Sequence, residues 1–234
     1  MGWASEQLGP ASALFATFCR GEALPVLDIG AAFGAASLAA LRAGANVVAN
    51  DLDAEHLAEL ARRVPEADRA RLTLKAGRFP RELHFETGSL GAVHASNVFH
   101  FLTGNQLEQG LRAAARWLRP GGALFVQTAT PYQAPFAAFI PEYERRIADG
   151  VKWPGWIPKL SVYSQHRQLS QMPRSMHLLD DLVLARAATA AGLTVERAWL
   201  YCRADLPATL HLDGRECAGL VARKKLDQGA LDLR

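Results

Sequence analysis

Short apolar runs alternate with helical stripes through the first half of this 234-residue chain, and that alternation limits the fold more than any other feature. Leu24–Ile29, Asn46–Asn50, Leu72–Lys75, Gly91–Ser96 and Ala123–Gln127 each have the length and β-rich character of a buried strand. Between them, Ala35–Ala43 is rich in Ala and Leu and stops at Gly44, Glu55–Arg63 stops near Pro65, and Gln106–Leu118 repeats apolar residues at helical spacing. Strands separated by helices require crossover connections, so the spacing predicts a parallel sheet covered on both faces. Leu193–Tyr201 and Glu216–Lys224 read as two last strands joined by a turn-rich link, which would close the sheet with an antiparallel hairpin. The expected fold is a Rossmann-like α/β three-layer sandwich with a seven-stranded, mostly parallel sheet.

Residues 1–234 read as one domain, of ordinary size for a single core. An N-terminal helical segment occupies 1–22, where Leu14, Phe15 and Phe18 keep helical spacing behind Pro10. Residues 131–177 interrupt the alternation with repeated prolines and many aromatic side chains, and read as an insertion after the fifth strand. The formal net charge of +3 is spread as single Arg residues without a basic block, so nucleic acid is not the expected partner. Cys19, Cys202 and Cys217 have no metal-type spacing, and neither a leader pattern nor an apolar run of membrane-spanning length is present. The expected setting is cytoplasmic, with no metal and no membrane; the oligomeric state is not legible.

The loop after the first strand is where a parallel sheet of this type binds ligands. It reads Asp28-Ile-Gly-Ala-Ala-Phe-Gly34. A dinucleotide fingerprint beginning at Gly30 would need glycine at positions 32 and 35, which are Ala32 and Ala35. Asp28 stands just before the loop, where its charge would oppose a pyrophosphate and favour a cation. Asp51 ends the second apolar run, 21 residues beyond Gly30, close to the offset at which an acid accepts from ribose hydroxyls. The alternative use of Asp51 or Asp53 is to cap the following helix. A phosphate-free, cationic nucleoside cofactor satisfies both acids.

Val26-Leu-Asp-Ile-Gly30, Val47-Val-Ala-Asn-Asp51-Leu-Asp53, Ser96-Asn-Val-Phe-His100-Phe-Leu102 and Leu118-Arg-Pro-Gly-Gly-Ala-Leu-Phe125 follow one another at fitting intervals. Together they resemble the motifs of class I S-adenosylmethionine-dependent methyltransferases. The resemblance covers about residues 24–127 and, more loosely, the last two strands. It implies S-adenosyl-L-methionine as cofactor and S-adenosyl-L-homocysteine as product. It also implies that Gly30, Ala31 and Gly34 line the methionine and ribose portion, with Asp28 near the ammonium. Asp51 would hold the ribose, Leu52 would pack on adenine, and Asn97 and Val98 would lie beside the sulfonium. The family's usual acid after the third strand is missing from Ala76-Gly-Arg-Phe79, so the backbone at Arg78 and the ring of Phe79 are expected to hold adenine instead.

Absences narrow the methyl acceptor. No Asn/Asp-Pro-Pro-aromatic motif follows the fourth run, no cysteine lies near the fourth or fifth, and paired acids for a metal are lacking there. The aromatic content of 131–177 suits a small organic acceptor, with Tyr132, Trp153, Trp156, Tyr163 and His166 as candidate contacts and Trp3 closing from the N-terminus. The same rings can equally pack the segment onto the domain. His100 is the candidate general base, or else a structural histidine bonded to backbone. The expected activity is in-line methyl transfer to a small molecule; the alternatives are a protein- or RNA-modifying methyltransferase and a non-catalytic cofactor-binding protein.

Overall fold

A computed structural model describes residues 7–163 and 173–226 of the chain. Helices α1 (Pro10–Phe18), α2 (Ala35–Arg42), α3 (Ala54–Arg63) and α4 (Gly104–Trp117) intervene among strands β1 (Val26–Ile29), β2 (Val47–Asp51), β3 (Leu72–Ala76), β4 (Leu90–Ser96) and β5 (Leu118–Ala129). Beyond them lie α5 (Ile140–Ala148), the two-residue strands β6 (Trp156–Ile157) and β7 (Met176–His177), α6 (Asp181–Ala190), β8 (Leu193–Tyr201) and β9 (Cys217–Lys224).

The main sheet has seven strands in the order β3-β2-β1-β4-β5-β9-β8. Pairing is parallel from β3 through β5 and antiparallel across β5–β9 and β9–β8. The strand order reverses beside β1, so the loops after β1 and β4 open into the crevice where such sheets take ligands.

Side chains alternate faces along each strand, and each face has its own core. Leu27, Ile29, Val93, Ala95, Leu124 and Val126 pack with Leu107, Leu111, Trp117 and Leu184 beneath α4 and α6. Val26, Ala92 and Phe125 pack with Phe15, Leu38, Leu41, Leu57 and Leu60 beneath α1, α2 and α3. The seven-stranded mixed sheet read from the apolar runs is therefore the observed architecture, with strand limits displaced by a residue or two. Strand β5 is the main extension: it begins at Leu118, ahead of the Ala123 expected from the apolar run, and carries Pro120-Gly-Gly122. A register shift between Leu90 and Ala92 admits those residues to the strand.

The Pro-rich segment holds more regular structure than its composition predicts. Pro135 and Pro141 lie in the first turns of helical elements, where a missing N–H leaves no intrahelical bond unmade. Tyr132, Phe136, Phe139, Tyr143, Ile157, Leu160, Met176 and Leu178 then form a third apolar cluster against Ala129 at the end of β5.

Gly155 sits where the two sides of this segment meet: a Cβ built on it would lie 1.7 Å from the Leu178 carbonyl oxygen. Leu178 in turn donates its N–H to the Gly155 carbonyl at 2.9 Å. Gly155→Ala is therefore expected to lower unfolding stability by about 1–3 kcal/mol. Denaturant unfolding with unchanged midpoint and slope would contradict this account of the close approach.

Candidate functional site

The β1–α2 loop is shaped by left-handed backbone at Gly30 (φ 66°), Ala32 (φ 47°) and Gly34 (φ 83°). A Cβ on Gly30 would fall 2.3 Å from Cγ2 of Val98, so this glycine lets the loops after β1 and β4 touch. The Gly34 N–H donates to the Ala31 carbonyl at 2.8 Å, turning the chain into α2. Asn97 takes the left-handed conformation at the end of β4 (φ 57°), and its N–H donates to the Gln127 carbonyl on β5 at 2.9 Å. Gly30, Ala31, Gly34, Asn97 and Val98 thus come together at the reversal point of the sheet.

Asp51 clasps this loop from β2. Its Oδ2 accepts the Ala32 N–H at 2.9 Å and its Oδ1 accepts the Asp53 N–H at 3.0 Å. Asp53 is the residue that caps α3, accepting the Glu55 N–H at 2.8 Å. Leu52, between the two acids, is 64% exposed and offers an apolar surface at the mouth of the loop.

Asp28 lies deeper than a residue in direct contact with a cofactor would. It is 2% exposed, and both oxygens are engaged: Ser37 Oγ donates to Oδ2 at 2.6 Å, and His94 Nδ1 lies 2.7 Å from Oδ1. The other ring nitrogen of His94 faces Ser12 Oγ at 2.9 Å. His94, Ser37 and Ser12 were not read as site residues. The available signal was a polar residue at the core-facing beat of an otherwise apolar strand.

The adenine expectation needs correction at two residues. The Phe79 ring is 5% exposed and packs against Phe99, Trp117 and Gly110, so it belongs to the core under α4. At Arg78, the N–H donates to Glu82 Oε2 at 2.9 Å and the carbonyl accepts the Glu82 N–H at 2.8 Å. Both backbone groups of Arg78 are therefore already engaged. Glu82 itself brings a carboxylate to the end of β3, where none was expected. It stands four residues beyond Arg78 and returns through a turn, which strand-by-strand reading does not detect. Asn50 fixes the same corner, donating from Nδ2 to the carbonyls of Lys75 and Gly77 at 2.8 Å each.

On the acceptor side, His100 is buried behind the end of β4, with Nδ1 3.3 Å from Thr128 Oγ1. Burial pushes its pKa down to about 4. Tyr132 is corrected from acceptor contact to packing residue: it is 7% exposed, with the Arg215 guanidinium 3.7 Å above its ring and Tyr143 at its edge. Tyr163 leans on Phe139 and stays partly exposed. Trp153 and Trp156, both partly exposed, meet the buried ring of His177 edge-on at 5.1 and 5.8 Å. Trp3 and His166 lie outside the described residues.

With this geometry in place, the comparisons are consistent in kind. No curated protein sequence matches the chain. A methyltransferase from Mesorhizobium loti, described as S-adenosylmethionine dependent, superposes with TM-score 0.65 at 21% identity, over 92% of this chain and 99% of that one. A SAM-dependent methyltransferase from Methanosarcina mazei gives 0.68 at 16%, over 94% and 100%. The glycopeptide N-methyltransferase MtfA, complexed with S-adenosyl-L-methionine, gives 0.60 at 17%, over 91% and 85%. The fold is that of the class I methyltransferases. Residues 26–122, which carry the glycine loop and both acids, match the family model of a methyltransferase domain.

Two outcomes follow for the site. Phe79→Ala is expected to lower stability by about 3–5 kcal/mol, as removal of a buried aromatic ring does. It should leave S-adenosylhomocysteine affinity within about twofold in calorimetry under native conditions; a tenfold loss would return the ring to the binding surface. The second concerns pH. His100 and His177 are both buried with pKa near 4, against 6.5 in an unfolded chain. Their stabilising neutrality is complete above about pH 6.5 and is lost as pH falls toward 4, because only the unfolded chain binds the protons there. Thermal unfolding midpoints should drop across that window, and a midpoint flat between pH 7 and about 4.5 would contradict the burial of both rings.

Proposed function

We propose that this chain transfers a methyl group from S-adenosyl-L-methionine to a small organic acceptor, in a cytoplasmic setting and without a metal. The clasp between Asp51 and the Gly30–Gly34 loop, beside exposed Leu52, carries the cofactor part of the reading. A Cβ at Gly30 would collide with Val98, so this glycine brings the loops after β1 and β4 together at the reversal point of the sheet. When bound, the cofactor supplies a sulfonium-activated methyl group. The residues then act by placement: Gly30, Ala31 and Gly34 border the methionine and ribose portion, Asp51 accepts from the ribose hydroxyls, and Leu52 covers adenine. Glu82 takes the place of the missing acid toward the adenine amine, with Arg78 held by it. Asn97 and Val98 border the sulfonium end. Asp28 acts at a distance, as a buried carboxylate under the loop that favours a cation and opposes a pyrophosphate.

The small-molecule reading rests on the segment 131–177, treated as a substrate lid. Its cluster stands against Ala129 at the end of β5, and Trp153 and Trp156 present partly exposed indoles. Gly9, just before α1, meets the same edge: a Cβ on it would lie 2.1 Å from the Gln127 side chain. A macromolecular acceptor is the second reading. One structural neighbour was solved in complex with the Haloferax volcanii Trm112 methyltransferase activator, so a protein partner is a second possibility for this chain.

Isothermal titration calorimetry should give saturable binding of S-adenosylhomocysteine and none of NAD. Asp51→Ala should weaken the former at least about tenfold. Asp51→Asn, which keeps an acceptor for the Ala32 N–H, should lie between the two. Saturation by NAD alone would sink the reading, and unchanged affinity in Asp51→Ala would remove Asp51 from the ribose.

A further inference from the structure

His177 holds a polar atom that the described residues leave without a partner. Its ring is 0% exposed, and Nδ1 lies 3.0 Å from the Leu102 carbonyl oxygen. A carbonyl only accepts, so Nδ1 carries the hydrogen and Nε2 carries the lone pair. That Nε2 is buried with no hydrogen-bond partner among the described residues. An unsatisfied buried acceptor is costly, and few persist in folded proteins without a reason.

The surroundings suggest what completes it. Trp153 and Trp156 stand edge-on to the imidazole at interplanar angles of 82° and 84°. Trp156 is fixed there as the register partner of His177 in the β6–β7 pair. Trp153 presses on the N-terminus of α4, where a Cβ on Gly104 would meet its Cδ1 at 2.3 Å. The Leu102 carbonyl belongs to the same short connection after β4 as Asn97 and Val98, the residues assigned to the sulfonium end. His100 is a weaker candidate on one point: its neighbour, the Thr128 hydroxyl, can donate or accept and leaves its tautomer open.

We propose that Nε2 of His177 receives the O–H of the methyl acceptor, and that the acceptor is a flat, apolar molecule bearing a hydroxyl, seated against Trp153 and Trp156. This rests on the methyltransferase reading above. The burial that holds the ring neutral keeps its lone pair available at physiological pH. In the transfer, the oxygen–carbon bond forms as the carbon–sulfur bond breaks, and the acceptor's proton passes to Nε2. Sulfur leaves as a neutral thioether, and the resulting imidazolium keeps its Nδ1–H on the Leu102 carbonyl. The partly exposed indoles move aside to admit the acceptor.

Three measurements test this on the full chain. Nitrogen NMR of the imidazoles should show His177 as the Nδ1–H tautomer; an Nε2–H tautomer would overturn the proposal. Fluorine NMR, with S-adenosylhomocysteine present, should show para-fluorophenol bound at least about tenfold more tightly than fluorobenzene, since a site built around a hydroxyl rejects the analogue lacking it. In His177→Asn, which retains a donor for the Leu102 carbonyl, that preference should vanish. Affinity for S-adenosylhomocysteine should stay within about twofold. Equal binding of the two probes by the wild-type protein, no binding of either, or a preference retained in the variant would each overturn it. Should the variant fail to fold, the tautomer and the wild-type preference still decide. A wild-type protein that binds no S-adenosylhomocysteine would instead overturn the methyltransferase reading, so the two failures are distinguishable.

Discussion

Asp28 and His94 are register partners on adjacent parallel strands, on the same face of the sheet, and neither has access to water. A carboxylate in that position is tolerable only if every lone pair has a use. The fold meets the demand from three directions. Ser37 reaches down from α2 to one oxygen, His94 from β4 takes the other, and Ser12 from α1 meets the far side of the imidazole. Phe15, one helical turn beyond Ser12, stacks on His94 at 4.8 Å. Two helices and two strands are thereby fixed relative to one carboxyl group. The glycine loop that leaves β1 two residues after Asp28 starts from a rigid base.

From Ser12 the network continues across the edge of the sheet. Gln127 Oε1 accepts from Tyr201 at 3.2 Å and lies 3.5 Å from Ser12 Oγ, while its Nε2 donates to Ser96 Oγ at 2.7 Å. Its backbone carbonyl accepts from Asn97, which starts the loop that touches Gly30. One side chain thus ties the N-terminal helix, β8 and the end of β4 to the place where the two key loops meet. Such networks rigidify when fully satisfied, and this one lies directly beneath the surface proposed to hold the cofactor.

Strands and helices were legible because their signal is local. The period of the apolar residues depends only on neighbours in sequence, and it recovered all seven strands of the sheet. The glycines and acids of the site were legible for the same reason: a loop after β1 and an acid after β2 are addresses along the chain. What escaped depended on return contacts. Glu82 reaches back to Arg78, and Phe79 turns inward because Gly110 leaves room for its ring. Neither fact is written in the spacing of Ala76-Gly-Arg-Phe79. The prolines of the 131–177 segment misled in the opposite sense, since two of them open helical elements and interrupt nothing.

The two halves of the site therefore differ in how the chain encodes them. The half proposed for the cofactor is made of backbone conformations and carboxylates held by the sheet, where a glycine, an acid and a register suffice. The half proposed for the acceptor is made of side chains from segments far apart in sequence, and its character depends on which atoms their packing leaves unpartnered. Tyr132 and His177 are both buried aromatic residues of that segment, yet packing gives Tyr132 an Arg215 guanidinium over its ring and leaves the Nε2 of His177 without a partner among the described residues. Composition cannot separate the two, because the difference arises only once β6 and β7 have paired and Leu102 has claimed one nitrogen of the ring. The proposed role of His177 rests on that leftover lone pair, which exists only in the folded chain.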